Sequence, residues 1–160
     1  WSPMTAGAIQ NRNASCGLIF RFITKGTDGE MFFGLADSAI RTPTAGNLID
    51  YTKNHIGFKI TWAASGAAAL YATQADGTTE NASASISAIA VNDRIELFLQ
   101  ANSTTSADYY WRVNDGAQSS ATNLTTNFPG GNCTEIAAMI ANGNVSTGNA
   151  IALNGSHYSR

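Results

Sequence analysis

The sequence predicts an all-β protein, an antiparallel sandwich of two sheets. Three observations carry that prediction. Apolar residues recur at every second position rather than at helical spacing. Clusters of Gly, Asn, Asp and Pro punctuate the chain at short intervals. No linker-like stretch, composition break or internal repeat divides it, so the strands belong to one domain over 1–160.

Taken in order, residues 18–24 put Leu18, Phe20 and Phe22 on one face and Arg21 on the other. A shorter candidate follows at 30–35, separated from the first by Thr27-Asp28-Gly29, which suits a tight turn. The segment 36–53 carries Pro43 and Gly46 and reads as a surface loop. Alternation is cleanest at 55–63, where Ile56, Phe58, Ile60 and Trp62 alternate with Gly57, Lys59 and Thr61. Candidates at 67–74 and 84–90 come next, with an Asp76-Gly77 turn signal between them. Residues 94–100 set Ile95, Leu97 and Leu99 against Arg94, Glu96 and Gln100, with Phe98 interrupting the polar face. Tyr109, Trp111 and Val113 alternate with Tyr110 and Arg112, and Asn114-Asp115-Gly116 ends that run. Residues 135–141 are Ala- and Met-rich enough for a helical turn, yet strand is the preferred reading. The last strand is placed at 149–154, with Asn142-Gly143 and Asn154-Gly155 as turns. About nine or ten strands result. Phe20, Phe22, Phe58, Ile60, Trp62, Ile95, Leu97, Leu99, Trp111 and Val113 are expected to fill the space between the sheets.

Composition narrows function. Charged residues make up 12% of the chain, about half the usual share, and the net charge is −2. A basic footprint for nucleic acid is therefore missing, and no apolar run reaches the ~18 residues that a membrane helix needs. Ala, Thr, Gly, Asn and Ser replace the charge, which suits a protein held in an assembly or an extracellular domain. The chain opens at Trp1 without an initiator Met or signal peptide, as a processed or partial product would.

Chemistry-bearing residues are sparse. Cys16 and Cys133 lie far from His55 and His157 in sequence, so a zinc cluster is not expected. The two cysteines form either a long-range disulfide, worth several kcal/mol in the chain-entropy model, or two buried thiols. No Gly-x-Ser-x-Gly elbow supports a triad, and each His reads as an ordinary polar surface residue. Asp28 and Glu30 read as solvated turn residues, and Asp93 and Glu96 sit at odd spacing, on opposite faces of a strand. Seven Asn-x-Ser/Thr sequons, at Asn13, Asn81, Asn102, Asn123, Asn132, Asn144 and Asn154, mark expected surface loops.

The order of motifs resembles a known family. Phe32-Phe33-Gly34-Leu35-Ala36 is followed by Ile56-Gly57-Phe58-Lys59 and Asp93-Arg94-Ile95-Glu96-Leu97. Then come Tyr109-Tyr110-Trp111-Arg112-Val113-Asn114-Asp115-Gly116 and Asn127-Phe128-Pro129. This run, over roughly 17–154, resembles the concanavalin A-like lectin/glucanase sandwich (a jelly roll) in the variant found in virion structural proteins of tailed bacteriophages. Glucanases of that fold share a Glu-x-Asp-x-x-Glu strand, and no two Glu residues here lie within six positions. Metal-binding lectins of the fold share a carboxylate–Asn cluster, which the scattered acids here do not match, so neither catalysis nor a metal or cofactor is expected. Sugar binding without metal would fall to flat rings, for which Tyr51, Tyr109, Tyr110 and Tyr158 are the candidates. The alternative for each is packing at the core rim. The resemblance implies a non-enzymatic virion protein, in capsid decoration, a head fibre or a tail. Its partners would be its own copies and capsid or tail proteins. An extracellular carbohydrate-binding or adhesin module at a cell surface is the alternative, and the sequons add a secreted glycoprotein as a third reading. In the assembly reading the 36–53 loop and the arms 1–16 and 155–160 make the contacts.

Overall fold

Two-residue alternation becomes two antiparallel sheets laid face to face. The computed structural model describes residues 15–24, 28–41, 49–63, 65–103, 105–130, 133, 135–142 and 150–159. Among them are eleven strands: β1 (Ser15–Thr24), β2 (Gly29–Ala36), β3 (His55–Trp62), β4 (Ala68–Ala75), β5 (Glu80–Ala82) and β6 (Ser87–Ile89), then β7 (Arg94–Ala101), β8 (Ala107–Val113), β9 (Thr122–Leu124), β10 (Glu135–Asn142) and β11 (Ala150–Ser159). One sheet runs β11-β1-β7-β8-β9, the other β10-β2-β3-β4-β5, with β6 also paired to β4. The jelly-roll sandwich expected from the sequence is therefore the fold. The segment 135–141 is strand, paired along its length with β2. The short strands β5 and β9 had no signal of their own; three residues are too few for alternation to register.

The inward faces meet in one core. Leu18, Phe20 and Phe22 of β1, Ile95, Leu97 and Leu99 of β7, and Phe58, Ile60 and Trp62 of β3 are all buried there. Trp111 packs against it from a partly buried position, and Val113 is half-buried at the strand end. Rings interlock edge to face, Phe22 on Trp62 with centroids 5.4 Å apart and Phe58 on Tyr109 at 5.5 Å. Cys16 and Cys133 are buried free thiols, so the disulfide alternative is set aside. Burial pushes the Cys16 thiol up to about 12 and raises that of Cys133 as well, which leaves both uncharged.

Three readings of turns and loops need correction. Asn154 and Gly155 make no turn: they lie inside β11, where β1 pairs Ile19 with Gly155 and Phe20 with Leu153. Asn154 is left unpaired as a bulge. The segment 36–53 is only partly a surface loop. It contains a 3-10 turn, Ser38–Arg41, and its described part buries Ile40, Ile49 and Tyr51 against Phe32 and Ala36. Glu30 lies in β2 rather than a turn and accepts the Ile49 N–H at 3.0 Å, holding this segment to the sheet. The cause is visible in β2 and β3. A Cβ at Gly57 would meet Phe33 O at 2.4 Å and the Phe32 ring at 2.7 Å. The Phe32 ring therefore lies across β3 on the outer face, and an apolar surface there demands a cover.

Candidate functional site

The two sheets differ on their outer faces, and the β1–β7–β8 side is the open one. Register sets Glu96 opposite Arg112 and Phe98 opposite Tyr110 on β7 and β8, while β1 contributes Gly17 opposite Phe98 and Ile19 opposite Glu96. These residues, with Gln118 from the segment after β8, line a groove of about 340 Å³, within the range of small-ligand sites. Gln118 is brought there by a turn in which Asn114 and Asp115 take positive φ (51° and 57°). The chain then runs back beside β8, with Ser119 N–H donating to Trp111 O and Ser119 Oγ accepting from Trp111 N–H, both at 2.9 Å.

Phe98 and Tyr110 form the floor, ring centroids 6.1 Å apart and tilted by 44°. Phe98 is 37% exposed, unusual for a ring at the centre of a strand. A fork of charge borders the rings. Arg112 donates Nε–H to Glu96 Oε2 at 3.0 Å and pairs with the same oxygen through its terminal nitrogen. Arg94 joins from the other side, paired with both Glu96 and Asp115. Partial burial alone would raise the Glu96 pKa, but the hydrogen bond and charge of Arg112, with those of Arg94, hold it below the usual glutamate value. Glu96 is therefore an ionised carboxylate that fixes the Arg112 and Arg94 guanidinium groups beside two flat rings.

The expected site residues scatter. Of the three candidate tyrosines with described side chains, Tyr110 lies in the groove, half-buried. Tyr109 is fully buried and donates its hydroxyl to Thr73 O and Gln74 Oε1 (3.1 Å each), so it is a core residue that ties the sheets together. Its alternating position points it inward, and burial raises its pKa well above 10.0. Tyr51 is 8% exposed and belongs to the 49–53 segment packed on the other sheet, where burial raises its pKa. Tyr158 is in β11, and its side chain falls outside the described residues, as does that of His157. Phe98, Arg112 and Glu96 were not singled out as a site. The signal was an aromatic residue on the polar parity of β7.

The outer face of β2–β5 carries the second polar constellation. His55 is 0% exposed, which corrects the surface expectation. Its ring meets Lys53 O through Nδ1 at 2.8 Å and Thr73 Oγ1 through Nε2 at 2.9 Å. Thr73 in turn reaches Glu80 Oε1 at 2.8 Å, and Lys59 pairs with that same oxygen. The Lys59 ammonium also sits 4.6 Å from the Tyr51 ring centroid. Burial pulls the His55 pKa down to about 4, against weaker upward pulls from the Lys53 carbonyl and nearby carboxylates.

Of the sequons, Asn102 is exposed after β7, as expected. Asn81 and Asn123 lie instead in β5 and β9 and spend their amides on Thr126 Oγ1 (2.7 Å) and Asp108 Oδ1 (2.8 Å). Asn154 is the strand bulge, and Asn13, Asn132 and Asn144 lie outside the described residues. Among those residues no group of three or more His, Cys, Asp and Glu is placed to hold a metal.

No protein-family profile and no curated protein matches the sequence. Solved structures do. The chain superposes on scytalido-glutamic peptidase bound to a peptide-based transition-state analogue with a TM-score of 0.50 and 14% identity, over 99% of this chain and 72% of the peptidase. Sheep galectin-11 in complex with glycerol gives a TM-score of 0.46 at 10% identity, over 99% of this chain and 95% of the galectin. Neither of these structures is a virion protein, and at such identity a likeness carries the architecture and no site. The likeness to the peptidase is one of overall architecture, over nearly the whole of this chain.

Proposed function

We propose that the chain is a non-enzymatic carbohydrate-binding module that takes its ligand in the groove on the β1–β7–β8 face. The observation that carries this reading is the pairing of Phe98 and Tyr110 beside the Glu96–Arg112 fork. A sugar ring offers an apolar face of C–H groups and a rim of hydroxyls. Flat rings receive the first, and fixed acceptors and donors orient the second. Arg112, held in place by Glu96, and the Gln118 amide supply them. Two rings and one groove suit one or two saccharide units, with millimolar to micromolar affinity rather than tight capture.

Glycan-array binding followed by calorimetry tests the proposal. Phe98→Ala and Tyr110→Ala should each abolish binding to the saccharide the array selects, with the fold intact. Binding retained in both variants would reject it.

The virion-assembly reading has its own support. Ile23 (42% exposed) and Val91 (43%) add large apolar side chains near one end of the same sheet, where the 92–93 turn hydrogen-bonds to Phe22. Such side chains are natural contacts for a neighbouring copy. A sedimentation series tests it: the reading expects an oligomer that Ile23→Asp dissociates, and a monomer at high concentration with no affinity for particles stripped of it rules it out.

A further inference from the structure

Polar ties from the 49–53 segment to the rest of the chain are single hydrogen bonds. Ile49 N–H donates to Glu30 Oε1 (3.0 Å), Asp50 N–H to Ile40 O (3.0 Å), and the Lys53 carbonyl meets His55 Nδ1 (2.8 Å). Lys53 N–H to Asp50 O and Thr52 N–H to Asp50 Oδ1 (3.1 Å each) lie within the segment, so they survive if it lifts as a unit. The closed form also holds two groups that gain from water. The Tyr51 hydroxyl is buried without a hydrogen-bond partner among the described residues. The His55 ring is 0% exposed and packs edge to face with the Tyr51 and Phe32 rings (centroids 5.7 and 5.3 Å), where a charge is costly.

We propose that the 49–53 segment is an acid-opened cover: a proton on His55 favours the state in which the segment lifts from the outer face of β2 and β3 while both sheets stay paired. The proposal does not rest on the carbohydrate site. Linkage fixes its sign. Burial pulls the closed ring's pKa down to about 4, against the ordinary 6.5 of a hydrated ring. The state that wets the ring therefore binds the proton more tightly, and it gains population as pH falls from 6.5 towards 4. The groups facing the ring are Asp50, Tyr51 and Lys53 from the segment, Lys59 from β3 and Glu80 from β5. Glu30 of β2 acts on Tyr51, and Glu135 of β10 stands in the same cross-strand row, Glu135–Ala36–His55. The Lys53 carbonyl, Glu80 and Asp50 favour a charged ring and Lys59 opposes it, but burial outweighs them. Asp50 is held below its ordinary 3.8, chiefly by the Thr52 hydroxyl, so it stays ionised above pH 5 and the segment keeps its shape. Lifting it bares the apolar surface of Phe32, Ala36 and Ile40.

Hydrogen exchange on the intact chain, each rate taken relative to the unstructured chain at the same pH, tests the cover. The Ile49 and Asp50 amides should open about twentyfold more at pH 5 than at pH 7, as a midpoint moved from 6.5 to 4 implies. About 1 M urea should leave their exchange unchanged, and amides of the β1–β7 ladder should exchange more slowly at both pH values. His55→Gln should remove the pH response. Should that variant fail to fold, Glu30→Gln keeps an acceptor for Ile49 without the charge, and the twentyfold ratio should persist because the ring remains. Segment amides that ignore pH, or that exchange only together with the β1–β7 ladder, would overturn the cover. So would a response retained in His55→Gln or lost in Glu30→Gln.

Discussion

The outer faces of the two sheets use similar side chains to opposite ends. On β7 and β8, Glu96, Arg112 and Arg94 form their ion pairs beside open rings in contact with water. Glu80 and Lys59 form a comparable pair on β3 and β5, but their neighbour His55 is sealed beneath the 49–53 segment, whose Tyr51 packs on it. The ion pairs themselves are similarly sheltered, with Glu96 20% and Glu80 26% exposed, and it is the open rings that leave the β7–β8 face in contact with water. A buried polar chain has no water to fall back on, so every hydrogen must be accounted for. Solvent access, more than residue type, separates the open face from the face that its own chain covers.

The comparison breaks first if the shared core fails. Phe58→Ala should cost about 3–5 kcal/mol in chemical denaturation and remove both faces together. Acid comes next and should act on the covered face. The folded chain holds the His55 pKa at about 4 against the ordinary 6.5, favouring the neutral ring. That contribution, about 3 kcal/mol, is complete above pH 6.5 and is lost as pH falls from there through 4. Asp50, Asp76 and Glu96, whose carboxyls are also held low, add to the loss only below about 4.5. Urea melts at pH 7 and pH 4.5 should show the decline, and His55→Gln should flatten it. Gly57→Ala is smaller, about 1–3 kcal/mol, because the new methyl meets Phe33 O and the Phe32 ring. It should loosen the 49–53 segment while leaving the groove's ligand affinity unchanged. Smallest in stability is Phe98→Ala, within about 0.5 kcal/mol, with saccharide binding nonetheless lost.

Much of this was legible in the residues. Alternation located β1, β3, β7 and β8, and eight of the ten expected core side chains are fully buried, with Trp111 and Val113 half-buried. The covered face was not legible. Glu30, His55 and Tyr51 are polar or amphipathic types, and only the approach of Gly57 to Phe32 and Phe33 explains why a loop rich in turn residues packs down on them. Tyr109 and Tyr110 are adjacent and chemically identical, yet strand parity sends one into the core and the other into the groove. Phe98 broke the polar parity of its strand, which was the mark of the site. Pairing it with Tyr110 required the β7–β8 register, which the order of strands in the sequence does not supply.

Chemical-shift mapping with the saccharide selected by the array tests the central claim most directly. The account predicts amide shifts confined to Gly17, Ile19, Glu96, Phe98, Tyr110, Arg112 and Gln118, with Ile49, Thr52 and His55 unmoved. Absence of any binding saccharide, or shifts centred on the 49–55 segment and β5, would contradict it.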